Sequence, residues 1–233
     1  MNAGPESPPS ADGDDAVLPF QLDALGARGR AIRLGAVADA IIARHAYPHA
    51  VAGLLAEALA LGAALASSLK YDGIFTLQLR GDGAVRLLVV DLTSAGALRG
   101  YAEYDAARLE AACAGVRLDP ISGLPDNPVT RLIGAGHMAF TVDQGADTER
   151  YQGVVALEGA TLADCAHHYF RQSEQFGAGI LLASGRVDGR WRAGALLLQA
   201  LPSRQLVEEL DAEEREERWR RALILLGSAR AAE

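Results

Sequence analysis

The sequence predicts an α+β fold in which antiparallel β meanders pack with a long buried helix and further helices. The first observation is a run from Ala50 to Ala66 that is apolar on nearly every side, the mark of a helix surrounded by partners. The second is a switch to period 2 shortly after it. There Phe75, Leu77 and Leu79 alternate with Thr76, Gln78 and Arg80, as in a half-buried strand. The third is that the strands come in groups with helices between them, not in the strict alternation of a doubly wound sheet. The 233 residues suffice to bury a substantial core. Half of them are hydrophobic and 22% are charged, as in ordinary globular chains.

Taken in order, residues 1–17 read MNAGPESPPSADGDDAV, with four acids and no base, and are expected to form a disordered acidic tail. The tail has neither the cationic start nor the apolar stretch of a secretory signal. Ala36 to His45 has helical spacing, with Val37, Ile41 and Ile42 on one side. Pro48 then opens a second helix, where its missing N–H would be unpaired anyway. That helix runs to about Ser68 and should end with Gly73 as a left-handed cap. Glu57 in its middle argues against a membrane span, because a charge at the bilayer centre is costly. Gly81-Asp82-Gly83 makes a hairpin turn in which Asp-Gly takes positive φ. Val85 to Leu92 and Leu98 to Tyr104 continue the meander, and Ala106 to Ala114 is a short helix. Pro125 and Pro128 keep the next loop irregular.

His137 to Val142 and Tyr151 to Leu157 read as strands. Thr161 to Gln175 is a helix opened by a capping box of Thr161 and Asp164, with Leu162, Cys165, Ala166, Tyr169 and Phe170 on its apolar face. Ile180 to Val187 and Trp191 to Leu198 pair around Asp188-Gly189. The α+β core is thus assigned to residues 18–202 and a charged helical, linker-like segment to 203–233.

Few constellations carry chemistry. Gly134 to Ala139 fits G-x-G-x-x-A, but it runs into a strand pattern and not into the helix that a phosphate site requires. His167 and His168 are neighbours, so on a helix they point about 100° apart. With Glu174 they supply the one alternative, a small-molecule enzyme or ligand-binding domain. Cys113 and Cys165 lie too far apart in sequence for a zinc motif and read as small core thiols. The net charge of −8 and the absence of a basic tract exclude nucleic acid as an expected partner.

Four stretches carry a resemblance: FQLDALGARGRAIRLG from Phe20, LLAEALALGAALASSLKYDG from Leu54, LQLRGDG from Leu77 and YFRQSEQ from Tyr169. Together they resemble the Hsp33 family of redox-regulated molecular chaperones. The resemblance implies an ATP-independent holdase in the cytoplasm. It would bind unfolded client proteins, with a homodimer as a candidate state and no membrane partner. Arg28, Gly29, Arg30, Gly81, Gly83, Gln172, Ser173, Glu174 and Gln175 stand in the family signatures and are expected to serve structure, the RGR and FRQSEQ stretches through buried hydrogen-bond networks between helix and sheet. The family carries a four-cysteine zinc module after the core. With only Cys113 and Cys165, no zinc or other cofactor is expected in this chain, and the redox switch is expected to be absent. The segment from Arg204 corresponds to the family's metastable linker. Its Leu206, Leu210, Trp219, Leu223 and Leu226 are expected to gate an apolar client-binding surface.

Overall fold

The computed structural model of the chain describes residues 14–144, 151–173, 177–201 and 212–229. Two antiparallel sheets sandwich one long helix. The elements are β1 (Ala16–Leu22), β2 (Ala27–Leu34), α1 (Ala36–Ala43), α2 (His49–Ser68), β3 (Ile74–Gly81), β4 (Val85–Thr93), β5 (Leu98–Tyr104), α3 (Ala106–Cys113), β6 (Gly136–Asp143), β7 (Tyr151–Ala156), α4 (Leu162–Ser173), β8 (Ala178–Val187), β9 (Arg190–Ala200) and α5 (Ala212–Ser228). The smaller sheet has the order β1-β2-β9-β8 and the larger β5-β4-β3-β6-β7. The second half therefore does not form a meander of its own. Its first two strands extend the β3–β5 sheet through β6, and its last two join the N-terminal hairpin through β9.

The helix α2 explains this arrangement. Sixteen of its 20 residues are buried, and it touches strands of both sheets. An Ala-rich surface lets both layers approach closely. A Cβ at Gly53 would strike the Ser122 carbonyl at 2.0 Å, and one at Gly62 would press on Val90 at 2.8 Å. By length and hydropathy α2 could cross a membrane, but 89% of its apolar window is buried inside the fold.

The local readings hold where they rest on periodicity. Phe75, Leu77 and Leu79 are buried, and so are Leu162, Cys165, Ala166, Tyr169 and Phe170 on α4. The capping box forms: Asp164 N–H donates to Thr161 Oγ1 at 3.1 Å, and Thr161 N–H donates to the Asp164 carboxylate at 3.0 Å.

Four readings need correction. The fold begins before Leu18, because Ala16 and Val17 already pair in β1 and Asp15 accepts from the N–H groups of Gly35 and Val37 at the start of α1. Gly73 does not cap α2: the helix ends at Leu69 in an extended conformation, and Gly73 (φ 144°) lets the chain pass against the Asp143 carbonyl. The two Asp-Gly turns differ. Asp188 (φ 51°) and Gly189 (φ 77°) form the left-handed pair expected of a tight hairpin, whereas neither Asp82 nor Gly83 has positive φ. Gly81 and Gly83 are instead needed for close approach, since a Cβ at either would strike backbone at Leu132 or Ile133. Finally, Pro128 does not keep its loop irregular but precedes a π-helical turn at Val129–Ile133, whose apolar residues are buried.

Candidate binding surface

The smaller sheet has two apolar faces, and only one meets α2. On β9, Trp191, Ala193, Ala195 and Leu197 point to α2, while Leu196 and Leu198 point outward. Pairing carries that outer face across all four strands. One transverse row is Phe20–Gly29–Leu198–Gly179, and the next is Leu18–Ala31–Leu196–Leu181. Large and small residues alternate along the first row for a steric reason. A Cβ at Gly29 would lie 2.2 Å from the Phe20 ring, so the ring lies across the glycine. Arg33 and Arg192 stand at the far end of this face, where Arg192 pairs with Asp14 at 2.9 Å.

Helix α5 lies over one end of the face. Its inward residues Trp219, Ala222, Leu223 and Leu226 recur at helical spacing. Ala222 is fully buried and Leu226 is 6% exposed, within a cluster that includes Phe20, Leu22, Leu25, Leu181, Leu196 and Leu198. Two glycines receive the helix: a Cβ at Gly177 would strike the Trp219 indole at 2.6 Å, and one at Gly179 would meet Leu223 and Leu226 at 2.6 and 2.8 Å. Arg218 Nη1 donates to the Ala24 carbonyl at 3.2 Å. Within the helix, Arg221 and Arg220 pair with Glu217 at 3.0 and 3.3 Å in solvent. Such exposed pairs contribute little. Leu18, outside the covered end, stays 61% exposed.

Of the gating residues read from the sequence, Trp219, Leu223 and Leu226 meet here, while Leu206 and Leu210 lie outside the described residues. Sequence reasoning missed Ala222 and the sheet positions beneath it. The contiguous run Leu196-Leu197-Leu198 was the available signal, since a strand buried on both faces loses its alternation.

Among the described residues the signature side chains do not gather into one buried network. Arg30 does join sheet to helix, its Nε donating to the Ser67 carbonyl at 3.2 Å, and it is half-buried. Arg28 and Gln172 are exposed, Arg28 bonding only Gln199 at 3.3 Å among the described residues. Ser173 ends α4, and Glu174 and Gln175 lie outside the described residues. The alternative site at His167, His168 and Glu174 finds no support. His167 Nε2 accepts from the Ile180 N–H at 2.7 Å and so ties α4 to β8, whereas His168 faces Glu158 at 3.5 Å. Gly134 to Ala139 leads into β6, as expected of a turn and strand.

The Hsp33 protein family model matches residues 15–228. The chain belongs to the Hsp33 family. It is 44% identical over 196 residues to the 33 kDa chaperonin of Caulobacter vibrioides (strain NA1000 / CB15N), covering 82% of this chain and 62% of the relative. It is 39% identical over 216 residues to the 33 kDa chaperonin of Pseudomonas syringae pv. tomato, covering 92% and 64%. The chain thus spans somewhat less than two thirds of the length of these Hsp33 relatives. The crystal structure of the 33 kDa chaperonin from Thermotoga maritima superposes with a TM-score of 0.66 at 21% identity, over 89% of this chain and 75% of that one, and shares the Hsp33 fold. The mixed fold with antiparallel sheets was therefore legible in the sequence. The four-thiolate zinc site of the family resemblance does not fit the residues present. The sequence holds two cysteines, one at the end of α3 and one inside α4, and among the described residues no three His, Cys, Asp or Glu side chains cluster.

Proposed function

We propose that this chain is an ATP-independent holdase that binds unfolded proteins on the outer face of the β1-β2-β9-β8 sheet, with α5 as a removable cover. The observation that carries the reading is the placement of α5. A helix rich in charge lies on a four-strand apolar face and meets it through Trp219, Ala222, Leu223 and Leu226. Burial of apolar surface is non-directional, so such a face accepts many client sequences once uncovered. The relatives' name, 33 kDa chaperonin, supports the same reading. The reading includes a cytoplasmic location, no enzymatic activity, no zinc or other cofactor in these 233 residues, and self-association through the same face as a competing outcome.

Light scattering from a thermally unfolded client tests this. Without nucleotide, the chain should suppress aggregation in proportion to its concentration. No suppression at a severalfold molar excess, with the chain itself folded, would contradict the reading.

A further inference from the structure

Helix α2 holds the two sheets apart, and it stops before they do. Its last turn is marked by the bond from Arg30 Nε to the Ser67 carbonyl, and β2 extends past that contact to Ala27. Beyond the helix end lies a cleft of about 110 Å³ between the layers. Its floor is aromatic. Phe75, Phe140, Tyr169 and Phe170 are each no more than 6% exposed and pack on one another, with Phe140–Tyr169 centroids 4.5 Å apart and Tyr169–Phe170 5.3 Å. Its mouth is polar. Arg28 and Gln199 face each other across the β2–β9 pair, and Arg28 Nε donates to Gln199 Oε1 at 3.3 Å. Among the described residues no acceptor engages the terminal nitrogens of that guanidinium, and no carboxylate is among the described residues that line the cleft.

We propose that this cleft binds a small carboxylic acid with an aromatic or short alkyl body, the body resting on the four rings and the carboxylate on Arg28. The chemistry selects the class. An apolar cavity of roughly 150 Å³ holds a benzene ring, so a slightly smaller one open at its mouth takes one ring or a short chain and leaves the substituent outside. The substituent then meets a guanidinium, whose planar fork suits a carboxylate and repels a cation. The space admits a single ring, so a free small molecule fits where a polypeptide backbone does not. This site lies on the α2 side of the smaller sheet, away from α5, and is independent of the holdase reading.

The test is calorimetric titration of the full chain with 3-phenylpropionate and with its neutral isostere 3-phenylpropanamide. The acid should bind about tenfold or more tighter than the amide, the increment of one charge-assisted hydrogen bond. Arg28→Gln, at an exposed position and checked for folding by circular dichroism, should bring the two within about twofold, while Arg28→Lys should keep part of the preference. Equal affinities in the unaltered chain, a preference that survives Arg28→Gln, or no heat from the acid at millimolar concentration would each overturn the proposal.

Discussion

Burial acts on Cys165 and Glu57 in the same direction, because taking a charge out of water makes each group hold its proton longer. The Cys165 thiol is pushed up to about 11 by its buried position on α4, with the Asp164 carboxylate adding to the effect. Cys113 is raised by burial too, with Arg131 opposing. Thiolate is the reactive form, so both should resist alkylation and oxidation at neutral pH. Iodoacetamide labelling of the native chain at pH 7.5 should be much slower than in denaturant, and peroxide should leave aggregation suppression unchanged. Rapid labelling or an oxidant requirement would mean that these thiols form a switch. Glu57, in the middle of α2, has its carboxyl raised by burial from the usual 4.5 to about 7. The folded state therefore keeps a proton that the unfolded state releases, and this contribution to stability is lost as pH rises through that window. Glu57→Gln should flatten the dependence and be more stable than the unaltered chain by roughly 2–3 kcal/mol at pH 8. Urea denaturation at pH 5 and pH 8 measures it; the same gap at both values would show that the carboxyl does not hold the proton.

At the scale of elements, local patterns were legible. The apolar run of α2, the alternation of β3 and the face of α4 depend on residues three or four positions apart or less, and each is buried as its spacing implies. Sheet membership depends on partners far along the chain. Phe20 meets Leu198 only because β2 pairs with β9, and no local pattern states that pairing. Beyond the contiguous Leu196-Leu197-Leu198 run, the outer face was not legible for this reason, although Trp219, Leu223 and Leu226 on its cover were legible from their helical spacing. Ala222 escaped notice because a methyl group carries little weight in a hydrophobic pattern. The two Asp-Gly turns show the same limit, since distant backbone at Ile133 dictates the conformation of one of them. The docking of α5 depends on the smallness of Gly177. Gly177→Val would drive a branched side chain into the Trp219 indole, which has no flexible end to move aside. Trp219 emission should shift to the red while far-ultraviolet circular dichroism stays nearly unchanged. An unshifted emission spectrum would show that the helix does not rest on this glycine.

For the whole molecule, the two faces of the smaller sheet divide the labour. The face toward α2 is part of the main core, which continues through the larger sheet and α4. The opposite face belongs to a separate, much smaller cluster with α5. Losing the second cluster exposes apolar surface without opening the first, so covering and uncovering can proceed on a folded body. The outer rows run from Leu22 to Leu18 along β1 and from Leu198 to Leu196 along β9, so the face crosses several paired strands.

Removal of residues 204–233 tests this division most directly. The shortened chain should keep the circular dichroism and cooperative unfolding of the core, bind several times more of an apolar dye than the full chain, and suppress client aggregation at a lower molar ratio. A folded truncation with unchanged dye binding and unchanged client protection would contradict the claim that α5 covers the binding face.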